Sequence, residues 1–487
     1  MRRMTATMAG LVAVALLAGA AARAQSDYPF QDGDVVVFLG DSNTAGAGFT
    51  KVIEQYTLLR YPARDVSFFN AGIGGDTATG GAARMQRDVF DRGADVVIVT
   101  FGINDIVWGL YADAAHRQAY LDGIRDIVVA CRDHVPPVRV ILNSYPLTNG
   151  AVGQTEPNPT QQFLQAMSLD AFALATSLAP GVVKTNDVFA TMWDVFLNGR
   201  KTSPIWGDRP SIGGSDGVHL SDFGHQLWAY AMLKNFNLSP IVSSVTVGST
   251  PPRSVATTNA TLSQISGNSA LLSFTRKDTA LPINFGAFQA GTVLQWINFS
   301  GDLNQYVLKV AELPTGSYEV EVESHVLGTW TAAQLAAGIN IGPDIFDAWW
   351  PQTPWGAKAL VLTGMINARQ ELAAEPRPGA VVPGVGSERQ HDRQSAHHHQ
   401  QPHPDGAARH RDAVCDAVRG AEGGVRRTAC GGAEVATWWD DRLCPRIQFG
   451  PPSSPSPADA GEGTEPTRFV AHGRHGSDSF PRTAGEG

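Results

Sequence analysis

The sequence predicts an α/β fold, a parallel sheet covered by helices on both faces. Between Asp34 and about Leu233, short apolar runs alternate with longer stretches whose apolar residues recur at helical spacing. Strands that are apolar at every position are buried on both faces, and such strands separated by helices belong to parallel sheets. Three of the runs end directly in blocks rich in Gly, Asp, Ser and Asn. In parallel sheets, sites form beyond the carboxyl ends of the strands.

Residues 1–24 are expected to lie outside the fold. Arg2 and Arg3 precede an apolar run from Met8 to Ala20, and Ala22-Arg23-Ala24 follows. A basic start, a short apolar stretch and an A-x-A site describe a secretory signal peptide. The run is short for a span of about 20 residues. The expected product is a secreted or periplasmic protein with no stable membrane insertion.

Residues 31–240 are expected to form the first domain. Val35–Leu39 reads as strand one, and Phe49, Val52, Ile53 and Tyr56 then mark a helix face. Val66–Phe69 and Asp95–Phe101 read as strands two and three. A long helix carries Tyr120, Leu121, Ile124, Ile127, Val128 and Cys131 on one side. Strand four is Val138–Leu142, a helix spans roughly Thr160–Leu178, and Val182–Thr185 is strand five.

Residues 241–373 form a β-rich region. Tyr318–Ser324 alternates at period two after the turn signal Leu313-Pro-Thr-Gly316, and a short helix is expected within Leu327–Ile341. From 374 to 487 the composition changes. Eight of the 13 histidines lie there, and Lys, Asn, Tyr and Met are absent after Glu375. A disordered low-complexity tail fits this composition. A reading-frame slip in a GC-rich gene also fits, and is favoured here because the missing residues use codons rich in A and T. His397-His398-His399 could bind a metal only with a scaffold that this composition does not suggest.

Composition narrows the function classes. The chain has 487 residues and a formal charge of -9, which disfavours binding driven by phosphate neutralisation, so no nucleic-acid partner is expected. Cys131 is the only cysteine in the first 400 residues and is expected to be a buried thiol. Cys415, Cys430 and Cys444 lie in the aberrant tail, so no disulfide framework supports the first domain.

Four blocks carry candidate chemistry. Gly40-Asp41-Ser42-Asn43 follows strand one, where a strand-to-helix turn would present a serine and free backbone N–H groups; the same residues also make ordinary turns. Asn70–Thr77, with Gly74-Gly75-Asp76-Thr77, follows strand two. Its glycines permit close backbone approach, or it is a tight turn in which Asp76 or Thr77 caps the next helix. Gly102-Ile103-Asn104-Asp105 ends strand three, and an Asn side chain can donate to an oxyanion or cap a helix. Asp216-Gly-Val-His219 could present a carboxylate and an imidazole from one loop. A serine hydroxyl needs such a base, and the base needs an orienting carboxylate. His225 competes for the role of base, but it falls in a helical pattern with Leu227 and Trp228 and reads as a packed helix residue.

As a set in this order, GDSN, GGDT, GIND and DGVH resemble the SGNH hydrolase family, the GDSL esterases and lipases, over about residues 33–233. The resemblance implies a three-layer α/β/α sandwich of flavodoxin-like character with a five-stranded parallel sheet. It also implies Ser42 as nucleophile, Asp216 and His219 as its partners, and an oxyanion hole from the Ser42 N–H, the Gly75 N–H and Asn104. Asn43 departs from the Leu or Ile that often follows GDS in the family. The implied activity is hydrolysis of short carboxylic esters, small or on carbohydrate, through an acyl-enzyme. No metal or organic cofactor is implied. Trp108, Ile205 and Trp206 could line a pocket, stack on a sugar or be core. Acyl transfer to sugar hydroxyls is the alternative reaction, and a carbohydrate-binding protein on the same fold is the non-enzyme alternative.

Overall fold

The computed structural model describes residues 28–149, 155–198, 211–214, 216–284, 293–323, 325–342, 353–374, 446–450 and 473–474. The expected signal peptide, Ile205-Trp206, the His397–His399 triplet and the three tail cysteines lie outside these residues.

Five strands form the first sheet: β1 (Val35–Gly40), β2 (Ser67–Gly72), β3 (Val96–Thr100), β4 (Arg139–Asn143) and β5 (Val183–Asn186). All pairings are parallel, in the order β2-β1-β3-β4-β5, the doubly wound order of flavodoxin-like folds. Successive strand residues point to opposite faces, and both sets are apolar, which forces a helical layer on each side. Val36, Phe38 and Ile98 enter one core with Phe49, Ile53, Leu227 and Trp228. Val37, Leu39, Val97 and Val99 enter the other with Tyr120, Ile124, Leu164 and Met167. Cys131 is buried in the second core as a free thiol.

The covering helices are α1 (Ser42–Ala45), α2 (Gly48–Arg60), α3 (Ala78–Ala83), α4 (Ala114–Asp133), α5 (Pro159–Leu178), α6 (Val188–Asn198) and α7 (Asp222–Asn235). Local chemistry sets their starts. Asp113 accepts from the His116 N–H at α4, Asn158 and Gln161 form a capping box at α5, and Ser221 accepts from the Gly224 N–H at α7. Among the described residues, no helix is long and apolar enough to cross a membrane.

The β-rich region contains two sheets around one core. β6 (Ile241–Gly248), β7 (Val255–Thr258), β10 (Gln305–Ala311) and β13 (Ile339–Asn340) run in the order β13-β10-β6-β7. The second sheet holds β8 (Ala260–Gly267), β9 (Leu272–Asp278), β11 (Ser317–Val322) and β12 (His325–Thr331). Tyr318, Val320 and Val322 point inward from β11 beside Phe274 and Leu308, as period two requires. The short helix Ala332–Ala337 carries a Thr331–Gln334 capping box.

Two features depart from the expected boundaries. Ile283, Val293, Ile297, Phe299 and Leu303 join the first core of the α/β layer rather than the β-rich core. A further helix, α8 (Pro354–Ala374), bonds to α2: Gln55 Nε2 donates to the Ala359 carbonyl at 3.1 Å, and Gln370 Nε2 to Glu54 at 2.8 Å. In the expected tail, β14 (Arg446–Gly450) pairs with β9 and β11, and β15 (Gly473–Arg474) pairs with β11.

Candidate functional site

Gly40, Gly72 and Thr100 lie in register at the carboxyl edge of the first sheet. The segments that follow them carry Ser42, Gly75 and Asn104. The chain is tight there: a Cβ on Gly72 would stand 2.2 Å from the Ala45 nitrogen, so only glycine lets β2 pass this close to the serine turn.

Ser42 opens α1, where its N–H has no intrahelical acceptor. Asp41 caps the turn by accepting from the Asn43 N–H at 2.9 Å. Burial pushes the Asp41 carboxyl up to about 6, against the pull of the Tyr145 hydroxyl, which donates to it at 2.9 Å.

Three predicted residues meet in one hydrogen-bonded chain. Ser42 Oγ lies 2.9 Å from His219 Nε2, and His219 Nδ1 lies 2.6 Å from Asp216 Oδ2. Asp216 Oδ1 also accepts from the Val218 and His219 N–H groups, each at 2.9 Å. The His219 side-chain bond, with those two N–H groups, holds the Asp216 carboxyl down at about 2. A carboxylate only accepts, so Nδ1 carries the imidazole proton and Nε2 is left to accept from the serine hydroxyl. That is the arrangement a general base requires.

His225 sits apart from this chain. It is buried in α7 against Trp228, and burial pushes its imidazole down to about 4, so it stays neutral above that pH.

Gly75 is exposed with φ +76°, a left-handed conformation that suits glycine. Thr77, not Asp76, caps α3 by accepting from the Gly80 N–H at 3.1 Å. Asn104 Nδ2 donates to the Asp76 carbonyl at 3.0 Å, which joins the second and third blocks. Asp105 accepts from the Ala78 N–H at 2.9 Å, and burial raises its carboxyl to about 7. Trp108 is 61% exposed, which removes the core reading for it, and its indole N–H donates to Asn104 Oδ1 at 2.9 Å.

Sequence reasoning missed three supporting residues. Asn43 clamps both sides of His219. Its Nδ2 donates to the Val218 carbonyl at 3.1 Å and to the Tyr145 hydroxyl at 2.9 Å, while its Oδ1 accepts from the Leu220 N–H at 2.9 Å. Tyr145 is fully buried and joins Asp41 to Asn43. Arg84, also buried, pairs with Asp76 at 2.7 Å and Asp88 at 2.8 Å, and donates to the Ala71 and Gly40 carbonyls. It thus ties the Gly75 turn to the strand that delivers Ser42. Only the break in pattern at Asn43 was visible as a signal.

Among the described residues, no group of three or more His, Cys, Asp or Glu side chains is placed to hold a metal ion.

The model of the GDSL-like Lipase/Acylhydrolase family matches residues 38–227. A curated relative, the uncharacterized lipoprotein YqeF of Bacillus subtilis (strain 168), is 37% identical over 78 residues, which is 15% of this chain and 32% of that protein. The chain therefore spans about a third of the length of that relative. Among solved structures, a gut microbial diltiazem-metabolizing enzyme is similar with a TM-score of 0.59 at 23% identity, covering 71% of this chain and 79% of its own. That likeness is one of fold. Axe2, an acetylxylan esterase from Geobacillus stearothermophilus, gives a TM-score of 0.35 at 21% identity, over 44% of this chain and 98% of its own.

Proposed function

We infer the activity of this chain from one premise, that residues 38–227 belong to the GDSL-like lipase/acylhydrolase family: it is a serine esterase that cleaves short-chain carboxylic esters through an acyl-enzyme. The observation that carries this reading is the bonded chain Ser42–His219–Asp216.

In the proposed reaction, Ser42 Oγ attacks the ester carbonyl and His219 Nε2 takes the hydroxyl proton. Asp216, ionised down to about pH 2, holds the ring and offsets the positive charge it gains. The Ser42 N–H, the Gly75 N–H and Asn104 Nδ2 stabilise the oxyanion of the tetrahedral intermediate. Its collapse expels the alcohol, which takes the proton from His219. Water then attacks the acyl-enzyme carbonyl and gives a proton to His219 Nε2; the second tetrahedral intermediate collapses to release the carboxylic acid, and Ser42 Oγ takes that proton back. Every step uses groups of this chain, and no cofactor takes part in it.

The proposed substrates are esters of acetyl or other short acyl groups, simple or on carbohydrate. The sequence between the four blocks holds no long apolar segment to cover an extended acyl chain. Export is proposed from the signal-like residues 1–24; the lipoprotein name of the Bacillus subtilis relative supports it.

The test is a panel of p-nitrophenyl esters of increasing acyl length, read with wild type and Ser42→Ala. Acetyl and butyryl esters should turn over fastest, and Ser42→Ala should lose at least about 1,000-fold in kcat. A long-chain optimum would overturn the substrate class, and an active Ser42→Ala the mechanism. Adding alcohol acceptors to the same assay separates hydrolysis from acyl transfer.

A further inference from the structure

We propose that Trp108 is a positioning residue for the oxyanion site, fixing the Asn104 amide so that an N–H faces the reacting carbonyl. The inference rests on the reading of Asn104 as an oxyanion donor.

The two ends of an asparagine amide have nearly the same shape and opposite hydrogen-bonding character. In one orientation Asn104 would stabilise an oxyanion, and in the flipped one its own oxygen would repel it. The partners decide which is present. The Asp76 carbonyl only accepts, and it takes a hydrogen from Nδ2 at 3.0 Å. The Trp108 indole only donates, and it gives its hydrogen to Oδ1 at 2.9 Å. A flip would set oxygen against oxygen and N–H against N–H, and both bonds would be lost. With both in place, the second Nδ2 hydrogen has no partner among the described residues. The Asp76 bond alone tolerates rotation about it, and the indole supplies the second fixed point.

The backbone bears the marks of this arrangement. Val107 and Trp108 are consecutive left-handed residues, with φ +48° and +59°. That region is unfavourable for residues other than glycine, most of all for a β-branched one. The turn folds back over Asn104 through the Val107 N–H to the Asn104 carbonyl at 3.0 Å and the Trp108 N–H to the Ile103 carbonyl at 2.8 Å. It brings a large ring to the edge of the sheet and leaves it 61% exposed. Hydrophobic packing does not account for an exposed ring in a strained turn, whereas delivery of the indole N–H does.

The test is a double-mutant cycle with Trp108→Phe, which keeps a ring and removes the donor, and Asn104→Ala, read on p-nitrophenyl acetate. Loss of one neutral hydrogen bond corresponds to about a 3- to 10-fold change. Trp108→Phe should therefore lower kcat about 3- to 10-fold, with KM within about twofold. In the Asn104→Ala background, the same change should cost less than about twofold, because the amide it orients is gone. A raised KM with unchanged kcat would make Trp108 a substrate contact and overturn the proposal. An equal cost in both backgrounds would also overturn it. A crippled Asn104→Ala beside a fully active Trp108→Phe removes this inference alone. A fully active Asn104→Ala removes the oxyanion reading and this inference with it.

Discussion

Asn43 stands where the family often has Leu or Ile, so Asn43→Leu is a conservative change by pattern and a severe one by structure. The substitution deletes three hydrogen bonds that reach Val218, Leu220 and Tyr145, the first two flanking His219. The Leu220 N–H is a buried donor and would be left without its acceptor. An unsatisfied buried group costs about 1–3 kcal/mol, and each further bond contributes about 0.5–1.5 kcal/mol. Part of this is recovered where the Val218 carbonyl reaches water, so a net loss of about 2–4 kcal/mol in stability is expected. The same bonds hold the loop that delivers His219 to Ser42. If about 1.4–2.8 kcal/mol of their energy holds that alignment, kcat falls about 10- to 100-fold. Urea unfolding and saturating turnover of p-nitrophenyl acetate read the two effects. Asn43→Leu with wild-type kcat and an unchanged unfolding midpoint would refute the clamp.

Other perturbations follow from the same geometry. His225→Ala should keep most of the turnover and lose on the order of 2–3 kcal/mol of stability through the cavity it leaves; a dead, fully stable variant would make His225 the base. Burial raises the Asp105 carboxyl to about 7 and the Asp41 carboxyl to about 6, from an ordinary value near 3.8. The folded chain therefore holds these protons more tightly than the unfolded chain between about pH 4 and 7, and the stability they contribute declines as pH rises through that window. Asp105→Asn should flatten that slope and raise stability by about 1–3 kcal/mol at pH 8, read by thermal unfolding; an unchanged slope would remove the burial argument. Ending the chain after Glu375 should preserve turnover, because α8 still bonds to α2. Ending it before Pro354 strips Arg369 and Gln370 from the buried Glu54 carboxylate, and a cost of about 3–5 kcal/mol is expected. Equal stability of the two truncations by urea unfolding would contradict that role for α8.

The strands of the first sheet were legible as short, mostly apolar runs between helical periods, and β5, Val-Lys-Thr-Asn, by its place in that alternation. The order of the four blocks was legible for the same reason: each follows a strand or opens a helix. The elements missed are those whose partners lie far along the chain. Helix α6 is the exception: Val188, Phe189, Met192, Val195 and Phe196 recur at helical spacing and are buried on one face, a period that the sequence does carry. Helix α8 packs against α2 some 300 residues away, a distance no local period encodes. Asn43 looked like a neutral departure because its partners, Tyr145, Val218 and Leu220, are separated from it by more than 100 positions. The direction of the Trp108 indole N–H depends on two left-handed residues that no composition rule would place there. The segment 374–487 was read from composition alone, and composition does not show that 446–450 pairs with β9 and β11.

Whether Ser42 is the attacking group is read most directly by reacting the full chain with an organophosphonate ester and locating the adduct by peptide mass spectrometry. A single phosphonyl group on the peptide bearing Ser42, formed with loss of esterase activity and not formed by His219→Ala, is the expected result. Full inactivation with the label on another residue, or full activity with Ser42 phosphonylated, would contradict it.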